Sequence, residues 1–205
     1  MNETHHDLQS FLTYVIGVLE RLEIPYMVVG GFAAISYGVP RLTVDVDIVV
    51  DMHWEQVQPF VAAFPDSGYY VSEDSIRDSL TRRYPSDIIE TATAAKVDLV
   101  PLSRDVFTRM AFERRQRFEY DAQGHTATFI TAEDLVVAKL SAHGATGSDK
   151  HLRDAQGVLV MRWGDLNLDL MRRASRASGV LDTLEMILQA ARREVEGEPP
   201  SEKGE

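Results

Sequence analysis

The chain contains no cysteine. Disulfides and thiolate metal sites are therefore excluded, and any metal would have to be held by oxygen or imidazole ligands. The same absence suits a reducing cytosol, and a cytoplasmic protein is expected. No apolar run reaches the roughly 18–20 residues that a membrane span needs, so no membrane partner is expected. The opening segment, MNETHHDLQS, has neither a basic n-region nor an apolar h-region, so no secretory leader is expected. Positive charge is scarce: 21 Lys and Arg face 32 Asp and Glu, for a net charge of −11. General nucleic-acid binders carry the opposite sign, which argues against a broad electrostatic footprint but leaves room for a local patch.

What is present is an ordinary globular composition over 205 residues, 44% hydrophobic and 26% charged. That length buries a sizeable core without covalent staples and suits one domain with a helical extension.

The stretch Gly30 to Val50, GGFAAISYGVPRLTVDVDIVV, carries the chemistry. Gly30 and Gly31 end an apolar run, where backbone N–H groups can approach a ligand without Cβ interference. A short helix is expected from Phe32 to Tyr37, and a helix start behind a glycine turn favours anions such as phosphate. Gly38, Val39 and Pro40 then break it. From Thr43 to Val50 acids alternate with β-branched residues, the pattern of a half-buried strand. Alternation puts Asp45 and Asp47 on one face, about 6–7 Å apart, and Val44, Val46 and Ile48 on the other. Two such carboxylates suit a hard cation that also takes substrate phosphate oxygens. Asp98, in Lys96-Val97-Asp98-Leu99, sits on a later strand. If that strand lies beside the first, three carboxylates converge, and a cation is needed to offset their repulsion. Asp98 would then act as a general base or help hold a metal. These residues point to metal-assisted phosphoryl or nucleotidyl transfer.

Two glycines, thirteen residues, Asp-x-Asp and a later lone Asp resemble the pattern of the nucleotidyltransferase superfamily of DNA polymerase β type. Within it the chain is similar to small bacterial nucleotidyltransferases, including toxins of the AbiE type of toxin–antitoxin system, over roughly Leu22 to Leu159. The family commonly has Gly-Ser where this chain has Gly30-Gly31, which leaves phosphate contact to backbone N–H groups alone. The resemblance implies Mg²⁺ or Mn²⁺ as cofactor and an NTP such as ATP as substrate. Asp45, Asp47 and Asp98 would be catalytic and metal-holding. Arg41 and Thr43 match an Arg and a Thr before the family's acidic strand; Lys139 matches the Lys of its E-D-L-…-K-L segment; Lys150, Arg153 and Asp154 match a following K/R-x-x-D segment. Gly30, Gly31, Arg41, Thr43, Lys139 and Lys150 are thus the expected nucleotide contacts. For Arg41 the alternative is a surface residue, and for Lys139 a snorkelling one. Lys150 and Asp154, at i and i+4, can equally form a simple intrahelical pair.

Along the rest of the chain, Leu8 to Leu22 show helical spacing, with His5 and His6 at a solvated end. Tyr26 to Val29 read as a central strand. Trp54 to Phe64 read as a helix that Pro59 kinks or restarts. Strands are expected at 68–71, 88–93 and 94–100, and small helices at 74–83 and 105–113. Gln116–Tyr120 and Thr126–Ile130 form a hairpin. Thr131 is expected to cap a helix beginning near Leu135 with Asp134 three residues on, and three further helices follow. Arg104, Arg109, Arg114, Arg115 and Arg117, with Arg172, Arg173 and Arg176, read as a solvated face or a docking surface. The expected fold is α/β (α+β): a nucleotidyltransferase-like mixed sheet with flanking helices in residues 1–130, an α-helical bundle in 131–195, and a disordered tail in 196–205.

Two function classes follow. The first is a nucleotidyltransferase that moves an NMP from an NTP to a hydroxyl: an RNA 3′ end, a protein side chain or an aminoglycoside. A toxin of this kind would have a cognate antitoxin as partner. The second is a non-catalytic nucleotide- or partner-binding module, antitoxin-like, on the same fold.

Overall fold

The computed structural model describes residues 3–197. The chain clusters into two compact units: residues up to 32 together with 42–130, and residues 33–41 together with those from 131 on. A short segment, 33–41, thus clusters with the C-terminal helices.

The first unit is built on a seven-stranded mixed sheet. Its strands are β1 (Tyr26–Val29), β2 (Asp45–Val50), β3 (Tyr69–Val71), β4 (Ser86–Glu90), β5 (Lys96–Pro101), β6 (Gln116–Glu119) and β7 (Thr126–Phe129), in the spatial order β3-β4-β5-β2-β1-β7-β6. The expected centrality of β1 holds: it lies between β2, antiparallel, and β7, parallel. On the far side of β2 runs β5, parallel and paired over its whole length. Alternation accounts for the burial, since Val46, Ile48, Val97 and Leu99 are buried while Asp45, Asp47, Lys96 and Asp98 are half-buried.

Helix α1 (Glu3–Arg21) buries Leu8, Phe11, Leu12, Val15, Ile16, Val18 and Leu19, a stripe at helical spacing. Each large side chain so buried stabilises the unit by about 1.5–3 kcal/mol. Phe11 and Tyr14 stack on Tyr69 of β3 at 5.7 and 5.2 Å between ring centres. The side chains of His5 and His6 and residues 198–205 of the tail lie outside the described residues.

Some elements differ from expectation. The first short helix, α2 (Gly30–Ser36), begins at the glycines themselves. Strand β2 begins at Asp45, because the ladder to β5 starts with Asp45 opposite Lys96; Val44 lies outside it and is 70% exposed instead of facing the core with Val46. The stretch after Trp54 is a 3-10 turn, Trp54–Gln56, followed by α3 (Val57–Val61), so the break precedes Pro59 rather than falling on it. Pro59 fits inside the first turn of α3, where its missing N–H costs nothing. The unit is completed by α4 (Glu73–Arg82) and α5 (Val106–Arg114).

The second unit contains α6 (Ala132–Thr146), α7 (Asp149–Met161), α8 (Leu168–Ala177) and α9 (Leu181–Glu196). Thr131 caps α6 as expected, accepting from the Asp134 N–H at 3.2 Å. The α6 helix packs on α7 and α8, and α7 on α9. Val39 lies against α7 at Gly157, where a Cβ would fall 3.0 Å from a Val39 methyl. Among the described residues no helix is long and apolar enough to cross a membrane.

Candidate active site

Strand register assembles the acidic face. Asp47 of β2 pairs with Asp98 of β5, and Asp98 pairs in turn with Asp87 of β4. One step along, Asp45 pairs with Lys96. Residues directly paired across a sheet point to the same side. Asp45, Asp47, Asp98, Asp87 and Lys96 therefore share one face of three adjacent strands. Asp87 was not singled out in the sequence. Its signal, an acid alternating with buried Ser86 and Ile88, gains meaning only once β4 is known to lie antiparallel against β5.

Each carboxylate has a distinct surrounding. The Thr43 hydroxyl lies 2.8 Å from Asp45 Oδ1 and 3.0 Å from the Asp45 carbonyl oxygen, fixing that side chain at the head of the strand. Asp47 leans over the start of α2: a Cβ built on Gly30 would fall 1.9 Å from Asp47 Oδ2. Gly30 also has φ +68°, a conformation that favours glycine. The close approach is thus recorded at Gly30, while Gly31 is the buried second residue of α2. Asp98 accepts from Lys96 Nζ at 2.8 Å, and the same ammonium lies 4.0 Å from Asp87 Oδ1. Burial pushes the Asp98 carboxyl up to about 6; Lys96 opposes this, and the hydrogen bond with Asp87 adds to it.

Carboxylate oxygens are the donors a hard divalent ion takes, so the face fits Mg²⁺ or Mn²⁺ in kind. In position, no three acids or histidines stand ready to chelate an ion among the described residues. On Asp98 the place is held by the Lys96 ammonium.

The remaining expected contacts lie in the second unit. Arg41 Nη1 and Lys139 Nζ both bind Asp154 Oδ2, each at 2.6 Å. Lys139 is buried rather than snorkelling, with 8% of its side chain exposed, and Arg41 and Asp154 are nearly as buried at 13% and 7%. Asp154 is therefore engaged across the helices, although helical spacing alone made Lys150 its expected neighbour. Lys150 is exposed. Burial first, and Lys139 second, lower the pKa of the nearby His151.

Several arginines of the two basic stretches are committed locally. Arg117 pairs with Glu20, Arg172 with Glu185, and the Arg115 guanidinium lies 4.0 Å over the Phe112 ring. A concavity of about 250 Å³ is lined by Gln9, Ser10, Thr13, Asp121, Gln123 and His125. None of the expected site residues lines it, so it lends no weight to the acidic face.

No family model matches the chain, and no curated protein matches it. Solved structures do. The chain is similar to JHP933 from Helicobacter pylori, at 15% identity and a TM-score of 0.54, with 96% of this chain and 95% of that one covered. It is likewise similar to a candidate nucleotidyltransferase from H. pylori, at 15% identity and a TM-score of 0.53, over 98% of this chain and 100% of that one. The antibiotic-resistance factor ANT(2'')-Ia follows at 12% identity and a TM-score of 0.48, too distant to carry an argument. At such identities the likeness speaks to the fold, and the fold is nucleotidyltransferase-like: a mixed seven-stranded sheet followed by a helical C-terminal part.

Proposed function

We propose that the protein is a metal-dependent nucleotidyltransferase that moves an NMP from an NTP to a hydroxyl acceptor on RNA or protein. The observation that carries this reading is the register of Asp47 beside Asp98 with Asp45 on the same face, next to a glycine helix start. Asp45, Asp47 and Asp98 would hold Mg²⁺ or Mn²⁺, which supplies charge neutralisation of the triphosphate and of the leaving pyrophosphate. Thr43 keeps Asp45 oriented. Gly30 gives the Asp47 carboxylate room at the start of α2, and a phosphate reaching the backbone N–H groups of Gly30 and Gly31 would share that place with it. Asp98 is suited to take the proton of the acceptor hydroxyl as the new O–Pα bond forms and the bond from Pα to the pyrophosphate oxygen breaks. In the second unit, a phosphate bound by Arg41 and Lys139 would have to compete with the Asp154 carboxylate for them. Lys150 is an exposed candidate contact.

The net charge of −11 favours an acceptor recognised through a restricted patch over one gripped along its backbone. Membership of a toxin–antitoxin pair, with a cognate antitoxin as partner, is the narrower form of the proposal. The test is incubation with each α-labelled NTP, Mg²⁺ or Mn²⁺, and total RNA or lysate. A labelled RNA or protein band that disappears in Asp47→Asn supports the reading and names donor and acceptor. No transfer from any of the four NTPs refutes it.

A second reading is a non-catalytic nucleotide- or partner-binding module. It is favoured by the lysine seated on Asp98 and by the lack of a ready chelating triad among the described residues. Metal-dependent thermal stabilisation by an NTP without any transfer would select it.

A further inference from the structure

We infer that Lys96 is a built-in counter-cation of the acidic face, which holds Asp98 in the metal-free protein and yields that carboxylate when a divalent ion binds. The inference rests on the metal-binding reading of Asp45, Asp47 and Asp98 given above.

Lys96 stands two residues before Asp98 on β5, so strand alternation directs both side chains to one face. Its ammonium lies 2.8 Å from Asp98 Oδ2 and 4.0 Å from Asp87 Oδ1, and its partner across the ladder to β2 is Asp45. Lys96 thus stands among three carboxylates of this face, Asp98, Asp87 and Asp45. The pairing of Asp87 with Asp98 across the β4–β5 ladder sharpens the need, because neighbouring carboxylates on one face call for a shared proton or a cation nearby.

Exposure tells the two partners apart. The Asp98 side chain is 13% exposed and is held in place, whereas Lys96 is 36% exposed. A lysine ammonium is a point charge on a flexible four-carbon stem. It can leave Asp98 for water at little cost, which a buried arginine fork could not do. The pair thus satisfies Asp98 in the metal-free protein without locking it. A divalent ion offers the same oxygen twice the charge. Bound beside Lys96, it would also be repelled by it, so the two compete for Asp98. A purely decorative ion pair predicts no such competition, and a lysine reserved for substrate phosphate predicts weaker nucleotide binding with unchanged metal affinity.

The experiment is a Mn²⁺ titration of the EDTA-stripped full chain, read by electron paramagnetic resonance of free Mn²⁺, with no nucleotide present. Lys96→Met keeps the stem and removes the charge. It should bind Mn²⁺ about tenfold more tightly than wild type, the size of the repulsion between a single and a double positive charge roughly 6 Å apart in a water-like medium. Lys96→Arg keeps the charge on a less readily displaced fork and should bind Mn²⁺ no more tightly than wild type. Equal or weaker binding by folded Lys96→Met overturns the inference. If wild type binds Mn²⁺ and Asp47→Asn does not, the metal-site reading survives that failure. If neither wild type nor Lys96→Met takes up Mn²⁺, both fall. Should Lys96→Met not fold, the Lys96 side-chain signals of the wild type serve instead, followed by NMR during Mg²⁺ addition. They should move in wild type and stay still in Asp47→Asn; still signals in a wild type that has bound Mg²⁺ overturn the inference.

Discussion

The carboxylate of Asp47 lies where a side chain at residue 30 would begin: a Cβ on Gly30 would fall 1.9 Å from Asp47 Oδ2, on backbone with φ +68°. Gly30→Ala must therefore move Asp47 and strain the turn together. The expected cost is about 2–3 kcal/mol, from left-handed backbone and overpacking. Denaturant midpoints measure the stability and Mn²⁺ titration the displacement of Asp47. A variant with wild-type stability and wild-type Mn²⁺ affinity would show that Asp47 needs no glycine beneath it.

Asp47→Asn keeps the shape and removes one charge from the row of Asp47, Asp98 and Asp87. Nucleotidyl transfer should drop below detection while the circular dichroism spectrum stays that of the wild type. Relief of like-charge repulsion should leave the metal-free variant at least as stable as wild type. Wild-type transfer rates at saturating metal would remove Asp47 from the mechanism.

The folded-state pKa of Asp98, about 6, lies above its ordinary value of 3.8. The folded chain therefore holds this proton more tightly than the unfolded chain. The stabilising effect of the proton is fully present below about pH 3.8 and is lost as pH rises through about 6. Asp98→Asn cannot titrate and escapes this loss. In EDTA, its urea midpoint should gain on that of the wild type between pH 4 and pH 8. Parallel profiles for the two proteins would contradict the prediction.

Asp154→Ala would leave Arg41 and Lys139 buried without the carboxylate they share. Breaking a buried pair in this way costs about 3–5 kcal/mol. Chemical denaturation should show that loss, and adding Lys139→Met should recover part of it, since one stranded charge is then removed. A loss below about 1 kcal/mol, the range of exposed ion pairs, would mean that solvent reaches these side chains.

The legible parts of the sequence were those governed by local periodicity. Period two placed Asp45 with Asp47 and Lys96 with Asp98 on their strand faces, and the stripe from Leu8 to Leu19 marked the buried side of α1. Turn chemistry at Asp121 to Gly124 marked the hairpin, whose Asp121 Oδ1 accepts from the N–H groups of Gln123 and His125 at 3.0 Å each. The capping role of Thr131 was equally local. The 3-10 turn at Trp54 was missed because a proline inside an apolar run looks like a break, yet it is tolerated in a first helical turn.

Pairing between segments distant in sequence was decided by the tertiary structure. Which acid faces Asp98 depends on the β2–β5 and β4–β5 registers, and a shift of one residue would turn each row to the other face. Asp87 entered the site by that route alone. Asp154 bonds Arg41, 113 positions away in the chain, and Lys139, 15 positions away, instead of its helical neighbour Lys150. The sequence by itself determined which side chains share a face, because backbone geometry repeats every two or every 3.6 residues. Only the folded chain decided which faces meet, because a buried charge takes the partner that packing brings within hydrogen-bond reach, whatever its distance along the sequence.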